Sequence, residues 1–211
     1  MVSEVDAMYA ETQGETGFAA MSPAVRAALG KAERHRLVPA SQAAAAYRNH
    51  PLPIGSGQTI SQPYIVALST DLLDLDSGST VLDVGTGSGY QAAVLAEIAA
   101  KVFSIELIEP LGEAARKRLE ALGYGNIELR VGDGYKGWPE KAPFDAIVVT
   151  AAAPRIPRAL VDQLKPGGRM VIPLGGDGEV QWLQLVTKRA DGGYDERRIL
   201  PVRFVPLVPG R

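Results

Sequence analysis

The feature that most constrains the fold of this chain is a glycine-rich stretch between a strand pattern and a helix pattern. Residues 81–84 (VLDV) form the strand pattern, Gly85, Gly87 and Gly89 follow, and an apolar helix pattern begins at Tyr90. Glycines let the backbone approach a ligand closely, and the first N–H groups of a helix lack partners within the helix. The stretch therefore predicts a sheet that binds a nucleotide-like ligand at the carboxyl end of this strand.

Strand and helix patterns alternate after this stretch. The predicted strands are residues 81–84, 101–106, 127–131, 144–150 and 169–174, and the predicted helices are residues 90–100, 110–122 and 156–164. Such alternation requires a parallel sheet with helices on both faces. Residues 181–189 and 197–207 then form two strand patterns without a helix between them, which predicts an antiparallel hairpin. We predict an α/β fold with a doubly wound, Rossmann-like, mostly parallel sheet of about seven strands.

The 211 residues suit a single domain with an N-terminal helical extension. Residues 1–20 show no sustained periodicity, and we expect them to be flexible or loosely packed, with a short helix near residues 5–9. In residues 21–79, Ser22 and Pro23 favour a helix start, and a glycine-containing loop precedes a second helix at residues 63–73. Residues 80–211 are predicted to form the ligand-binding core with its C-terminal hairpin.

The composition limits the chemistry that is available. The sequence has no cysteine, which excludes thiolate nucleophiles, and its two histidines, His35 and His50, lack the spacing of a metal site. The net charge of -2 does not favour nucleic-acid binding. No apolar run approaches the roughly 18 residues of a membrane span, and the acidic first residues differ from a signal peptide. We therefore expect a cytoplasmic protein with no metal, no nucleic-acid partner and no membrane partner.

Three acidic residues stand at the ends of three successive strand patterns: Asp83, Glu106 and Asp133. A carboxylate at Asp83 would repel a pyrophosphate and suits the ammonium of a methionine moiety. Glu106 can accept hydrogen bonds from two ribose hydroxyls, and Asp133 can accept one from the adenine amine. Together with the glycine turn, these acids predict S-adenosylmethionine as the cofactor.

Each acid taken alone also has an ordinary structural interpretation. Asp83 suits a cap or turn, Glu106 suits a solvated strand end, and Asp133 between two glycines suits a turn. Their joint placement is what favours S-adenosylmethionine. A nicotinamide cofactor is the weaker alternative, because the glycine spacing is not the G-x-G-x-x-G of dinucleotide enzymes.

Several motifs resemble those of the protein-L-isoaspartate O-methyltransferase family, from about residue 36 to the C-terminus. The most specific are residues 53–64 (PIGSGQTISQPY) and 202–208 (VRFVPLV), and the others are 82–91 (LDVGTGSGYQ), 132–134 (GDG) and 143–147 (PFDAI). The glycine turn alone indicates only a methyltransferase. The first 20 residues depart from the family, whose members usually begin with a longer helix rich in Arg and Leu.

The resemblance implies a single methyltransferase domain that methylates the free α-carboxylate of L-isoaspartyl residues in damaged proteins and peptides. It implies that Ser61 is the active-site residue and that Ser61, Val202, Arg203 and Phe204 contact the substrate. Thr59 belongs to the loop that lines the cofactor, and its hydroxyl makes it a second catalytic candidate. No metal is expected. With the turn and the three acids, the predicted cofactor-binding residues are Gln58, Thr59, Ile60, Ser61, Asp83, Gly85, Thr86, Gly87, Ser88, Gly89, Glu106, Asp133 and Gly134. We expect a monomer.

The predicted chemistry needs no general base, because a carboxylate with a pKa near 4 is already ionised at neutral pH. Thr59 and Ser61 offer hydroxyl and N–H donors for that carboxylate, and Ser61 is not expected to be a covalent nucleophile. Ser61 before Pro63 is equally typical of a helix cap. Two alternative functions stay open: methylation of an aspartate in a dedicated peptide partner, and a cofactor-binding module without turnover.

Overall fold

The sheet predicted after residue 80 is present in the computed structural model, which describes residues 1–176 and 179–210. A short antiparallel hairpin of β1 (Leu52–Gly55) and β2 (Gln58–Ile60) precedes it. The strands of the sheet are β3 (Thr80–Val84), β4 (Lys101–Glu106), β5 (Ile127–Val131), β6 (Phe144–Val149), β7 (Leu164–Leu174), β8 (Gln181–Lys188) and β9 (Tyr194–Val202). Their order is β5-β4-β3-β6-β7-β8-β9.

The direction of the strands explains where a ligand can bind. Neighbouring strands are parallel from β5 to β7 and antiparallel from β7 to β9, so the predicted mostly parallel sheet with a terminal hairpin is confirmed. The chain runs from β3 to β4 on one side, and β6 lies on the other side of β3. Loops that leave neighbouring strands in opposite directions open a crevice at their carboxyl ends.

Helices cover both faces of the sheet. They are α1 (Val2–Glu11), α2 (Gln13–Thr16), α3 (Pro23–Lys31), α4 (Pro63–Leu73), α5 (Tyr90–Ala96), α6 (Glu109–Ala121) and α7 (Arg158–Asp162). Alternate residues of β3 point to opposite faces: Val81 packs in a core with α3, α4 and α5, whereas Leu82 packs in a second core with α7. None of the helices within the described ranges is both long and apolar enough to cross a membrane.

The first 20 residues pack more tightly than their sequence indicates. Val5 and Tyr9 of α1 are fully buried. The Tyr9 hydroxyl donates to Asp71 Oδ2 at 2.5 Å, and Thr12 Oγ1 lies 2.5 Å from the Tyr64 hydroxyl. The expectation of loose packing failed because this segment docks through polar contacts to α4 and only a few apolar anchors, which leave no periodic pattern.

The C-terminal strand pattern ends earlier than predicted. β9 spans Tyr194–Val202, whereas the pattern predicted a strand over residues 197–207. Pro201 is the second-last residue of β9 and Pro206 lies four residues beyond the strand; proline cannot donate a ladder hydrogen bond. Residues 203–208 leave the sheet edge, and Ala152, just beyond β6, pairs with Pro206 in an isolated parallel bridge. We call residues 203–208 the tail segment.

Candidate functional site

A cleft opens at the carboxyl ends of β3, β4 and β6. Together with its open mouth, it holds about 820 Å³ of space. Its walls come from the glycine turn after β3, the residues after β4, Thr150 after β6, the β2 hairpin and the tail segment. We call it the first cleft.

A second cleft adjoins the first. Its walls include Pro51, Gln62 and Ile65 on one side and residues 201–205 on the other. Four residues line both clefts: Thr59, Ser61, Thr150 and Val205. The two spaces therefore share a wall made of three hydroxyl side chains and one valine.

Two separate features of the structure require a glycine at position 85. Its φ of +99° lies in the left-handed region, and a Cβ there would lie 2.5 Å from Thr150 Oγ1. Thr150 Oγ1 also donates to the carbonyl oxygen of Gly85 at 2.6 Å, which joins the turn to the end of β6. A side chain at 85 would therefore displace the wall of the first cleft as well as strain the backbone.

Glu106 lies in the wall of the first cleft and is only 6% exposed. Its Oε2 accepts from the backbone N–H of Gly87 at 2.7 Å, and its Oε1 accepts from the N–H of Ile108 at 2.9 Å. Each carboxylate oxygen can accept a further hydrogen bond. The side chain is thus held rigidly by backbone donors while it keeps acceptor capacity for a ligand.

Asp83 lies beneath the glycine turn and does not line the first cleft. It is fully buried; its Oδ2 accepts from Ser104 Oγ at 2.7 Å, and that hydroxyl lies 2.6 Å from Thr86 Oγ1. Within the described chain, no hydrogen-bond donor reaches Oδ1. Burial raises the pKa of Asp83 to about 7; the Ser104 hydrogen bond opposes this shift and the charge of Glu106 adds to it. Direct contact with a ligand ammonium stays a prediction.

Asp133 and Gly134 have different positions. Asp133 Oδ1 accepts from the N–H of Tyr135 at 2.9 Å and so caps the short 3-10 turn at residues 134–136. This is the turn role that its sequence context also suggested, and its contact with adenine stays a prediction. Gly134 lines the first cleft, and a Cβ there would lie 2.6 Å from Val84 Cγ1, so only glycine fits.

The β1–β2 hairpin brings the predicted catalytic loop to the shared wall. Its turn contains Gly55, Ser56 and Gly57, all with positive φ. This turn delivers Gln58, Thr59, Ile60 and Ser61 to the first cleft, as the sequence predicts for a cofactor loop.

Ser61 does not cap helix α4. The N-cap is Gln62, and no side chain caps the helix. The capping interpretation of Ser61 is therefore wrong, and its hydroxyl is available at the shared wall. No side chain of the described residues forms a hydrogen bond with that hydroxyl.

The predicted substrate residues Val202, Arg203 and Phe204 line the second cleft. The tail segment then passes over the first cleft and is anchored to Ala152. The Ala152 N–H donates to Val205 O at 2.8 Å, and the Leu207 N–H donates to Ala152 O at 2.7 Å. The structure thus brings together two motifs that are far apart in sequence, the hairpin loop and the tail segment.

Other residues of the site were missed by sequence reasoning. Thr150, Tyr90 and Gln91 line the first cleft, as do residues 205–208 of the tail segment. Thr150 had a usable signal, because it is the first polar residue after an apolar strand that ends at this edge of the sheet. Tyr90 had none, since it looks like an ordinary helix residue. Residues 205–208 belong to the tail motif found by resemblance, but the resemblance gave no reason to place them beside the cofactor.

A buried arginine supports Tyr90. The Arg34 guanidinium lies 4.6 Å from the centre of the Tyr90 ring, and Arg34 Nε donates to the carbonyl oxygen of Ala46 at 2.8 Å. Burial lowers the pKa of Arg34 to about 10, so the side chain keeps its charge at neutral pH. Arg34 therefore joins the segment before the hairpin to a residue in the wall of the first cleft.

The fold and the site together define a class of protein. A seven-stranded, mostly parallel sheet, a glycine turn after β3 and an acid at the end of β4 beside a cleft are the features of a Rossmann-like methyltransferase. The sequence model described as "Protein-L-isoaspartate(D-aspartate) O-methyltransferase (PCMT)" matches residues 7–211. The chain belongs to this family, and the match extends further towards the N-terminus than the motifs indicated.

Individual proteins agree with this assignment. The chain is 59% identical to protein-L-isoaspartate O-methyltransferase 2 of Polaromonas sp. (strain JS666) over 211 residues, which is 100% of both chains. It is 58% identical to the protein of the same name from Syntrophobacter fumaroxidans, over 100% of this chain and 85% of the relative.

Solved structures share the fold. One protein-L-isoaspartate O-methyltransferase superposes with a TM-score of 0.82 at 29% identity, over 98% of this chain and 65% of the other. A Plasmodium falciparum structure in complex with S-adenosyl-L-homocysteine superposes with a TM-score of 0.78 at 24% identity, over 98% of both chains.

Proposed function

We propose that this chain transfers a methyl group from S-adenosylmethionine to the free α-carboxylate of L-isoaspartyl residues in damaged proteins and peptides. The observation that carries the proposal is the shared wall, where Thr59 and Ser61 face both clefts. A group-transfer enzyme needs such a wall because donor and acceptor must meet in a fixed geometry. The relative with 59% identity over the whole chain supports the substrate class.

The residues of the first cleft fit S-adenosylmethionine. Glu106 has acceptor capacity for ribose hydroxyls, and the glycine turn offers backbone without side chains. Gly134 lines the cleft and packs closely on Val84, and the carboxyl of Asp83 beneath the turn suits a nearby ammonium group. When bound, the cofactor supplies an electrophilic methyl group on sulfonium sulfur.

The protein's own residues then have three tasks. The acceptor carboxylate is ionised at neutral pH, so the chain does not have to remove a proton from it. Thr59 and Ser61 orient this carboxylate by donating hydrogen bonds from the shared wall. The third task falls to residues 205–208 of the tail segment, which line the first cleft and would limit the access of water to the reacting atoms.

A methyl-transfer assay tests the proposal. Purified protein with labelled S-adenosylmethionine should methylate an isoaspartyl peptide and leave the matched peptide with a normal aspartate unmodified. If neither peptide is methylated while S-adenosylhomocysteine still binds in calorimetry, the proposed activity is wrong. Methylation of the normal aspartyl peptide alone would favour a dedicated partner instead.

We also propose that the protein acts as a monomer, without a nucleic-acid or membrane partner, in the cytoplasm. Light scattering during gel filtration, with and without cofactor, tests the oligomeric state. Cell fractionation tests the location.

A further inference from the structure

The start of the tail segment is held by an unusual contact from β8. Gln181 is the first residue of β8 and lies opposite Val202, the last residue of β9. Beyond this pair the ladder ends, but the Gln181 side chain continues it. Its Oε1 accepts from the Phe204 N–H at 2.5 Å, and its Nε2 donates to the Phe204 carbonyl oxygen at 3.1 Å.

One side-chain amide therefore engages both backbone groups of one residue. It replaces the pair of hydrogen bonds that a continuing strand would have made, so the chain can leave the sheet without leaving the Phe204 peptide groups unsatisfied. Phe204 is half-buried and lines the second cleft, as do its neighbours Val202 and Arg203. The amide thus determines the backbone path of that cleft wall.

The rest of the tail segment has separate anchors. Val205 and Leu207 are bonded to Ala152, and the Tyr135 hydroxyl donates to the Leu207 carbonyl oxygen at 3.2 Å. Leu207 lines the first cleft only. The tail segment is therefore attached at two places: by Gln181 beside the second cleft, and by Ala152 and Tyr135 beside the first.

We infer that Gln181 is a positioning residue for the peptide substrate, acting through the backbone of Phe204. The inference rests on the proposed function, because it takes the second cleft as the peptide site. Without the amide, the segment at 203–204 has more conformations, and peptide binding must order it. The loss falls on peptide binding because the attachment at Ala152 keeps the first cleft in shape.

Two variants at 181 test this role against a matched variant at Tyr135. Gln181→Leu keeps similar size and removes both hydrogen bonds, and KM for an isoaspartyl peptide should rise about tenfold. The dissociation constant of S-adenosylhomocysteine should stay within about twofold, and so should kcat. Tyr135→Phe should show the opposite pattern, a roughly threefold weaker S-adenosylhomocysteine affinity with an unchanged peptide KM.

Gln181→Glu provides a second variant with the wild-type shape. It keeps the acceptor for the Phe204 N–H but places a carboxylate oxygen against the Phe204 carbonyl oxygen, so the peptide KM should rise as well. Thermal unfolding checks that each variant folds. An unchanged peptide KM in a folded Gln181 variant, or an equal loss of cofactor affinity, overturns the inference.

Amide hydrogen exchange separates this inference from the proposed function. In Gln181→Leu, the Phe204 amide should exchange at least about tenfold faster, while the Leu207 amide stays as in the wild type. This readout needs no substrate. A wild-type protein that methylates no isoaspartyl peptide disproves the proposed function, whereas an unchanged Phe204 exchange rate disproves the role of Gln181.

Discussion

The two clefts are built in different ways. The first cleft is formed mainly by the ends of strands that are neighbours in the sheet: the turn after β3, the end of β4 and the end of β6 lie side by side because these strands are paired. The second cleft combines the β2 hairpin with residues 201–205, which are remote in sequence. The comparison teaches that the backbone of the sheet makes the cofactor side, whereas long-range side-chain contacts make the substrate side.

The largest expected effect comes from the backbone of the first cleft. Gly85→Ala should weaken S-adenosylhomocysteine binding on the order of a hundredfold, because the new Cβ meets Thr150 Oγ1 and the positive φ strains alanine. Calorimetry measures the dissociation constant.

Gly123→Ala is the matched control for this substitution. Gly123 also has a positive φ, but a Cβ there meets no atom within 4 Å and the residue lies at the end of α6. Its variant should lose about 1 kcal/mol of stability and keep the wild-type cofactor affinity. Equal binding losses in both variants would mean that φ strain alone, and not the shape of the cleft, explains the effect.

The next largest effect concerns Asp83. Asp83→Asn should weaken S-adenosylhomocysteine binding about tenfold, because it removes the negative charge beneath the turn that favours an ammonium group. Burial raises the Asp83 pKa to about 7, so wild-type affinity should increase as pH rises from 6 to 8. Glu106 is the other charged group that acts on Asp83, and it is present in both proteins. A pH-independent affinity in the wild type would contradict this role.

The free energy of unfolding should change with pH in the opposite direction from the cofactor affinity. The folded Asp83 pKa of about 7 lies above the unfolded value of 3.8, so the folded protein binds the proton more tightly. The contribution of Asp83 to the free energy of unfolding is complete below pH 4 and is lost as pH rises towards 7. Urea unfolding at several pH values should show a smaller decline for Asp83→Asn than for the wild type.

A change of similar size, in turnover instead of cofactor binding, is expected at the shared wall. Ser61→Ala should lower kcat about tenfold, because a donor to the acceptor carboxylate is lost, while cofactor affinity changes less than about twofold. Ser56→Gly is a suitable control: Ser56 lies in the same hairpin with a φ of 52°, is exposed and lines neither cleft. Equal losses of turnover and cofactor affinity in Ser61→Ala would mean that Ser61 acts by binding the cofactor and not by orienting the acceptor carboxylate.

The smallest effect is expected outside both clefts. Tyr9→Phe removes one hydrogen bond to Asp71, whose Oδ2 also accepts from the Ser22 N–H. The free energy of unfolding should fall by about 1 kcal/mol, with kcat and peptide KM unchanged. Urea unfolding measures the first and the methyl-transfer assay the others. A change in peptide KM would show that α1 also contributes to peptide binding.

The same division explains what could be predicted from sequence. Local patterns predict strands β3 to β6, the glycine turn and Glu106. Strand pairing then places the ends of neighbouring strands together. The hairpin loop and the tail segment were found through a family resemblance rather than through spacing. Their meeting at the shared wall could not be derived, since it depends on where β9 stops.

Two further features had no local signal. The docking of α1 depends on Tyr9 and Thr12 meeting polar groups of α4, more than 50 residues away in sequence. The fully buried position of Asp83 depends on Ser104, its neighbour on the paired strand. A strand-end acid looks the same in sequence whether it faces a ligand or lies beneath one.

The shared wall has a thermodynamic consequence for the order of events. Thr59, Ser61, Thr150 and Val205 line both spaces, so molecules bound in the two clefts share these side chains, and through them the two affinities can be coupled. Such coupling is reciprocal: the factor by which S-adenosylhomocysteine changes peptide affinity must equal the factor by which the peptide changes S-adenosylhomocysteine affinity. Any such coupling makes the equilibrium affinity of each product depend on whether the other product is still bound.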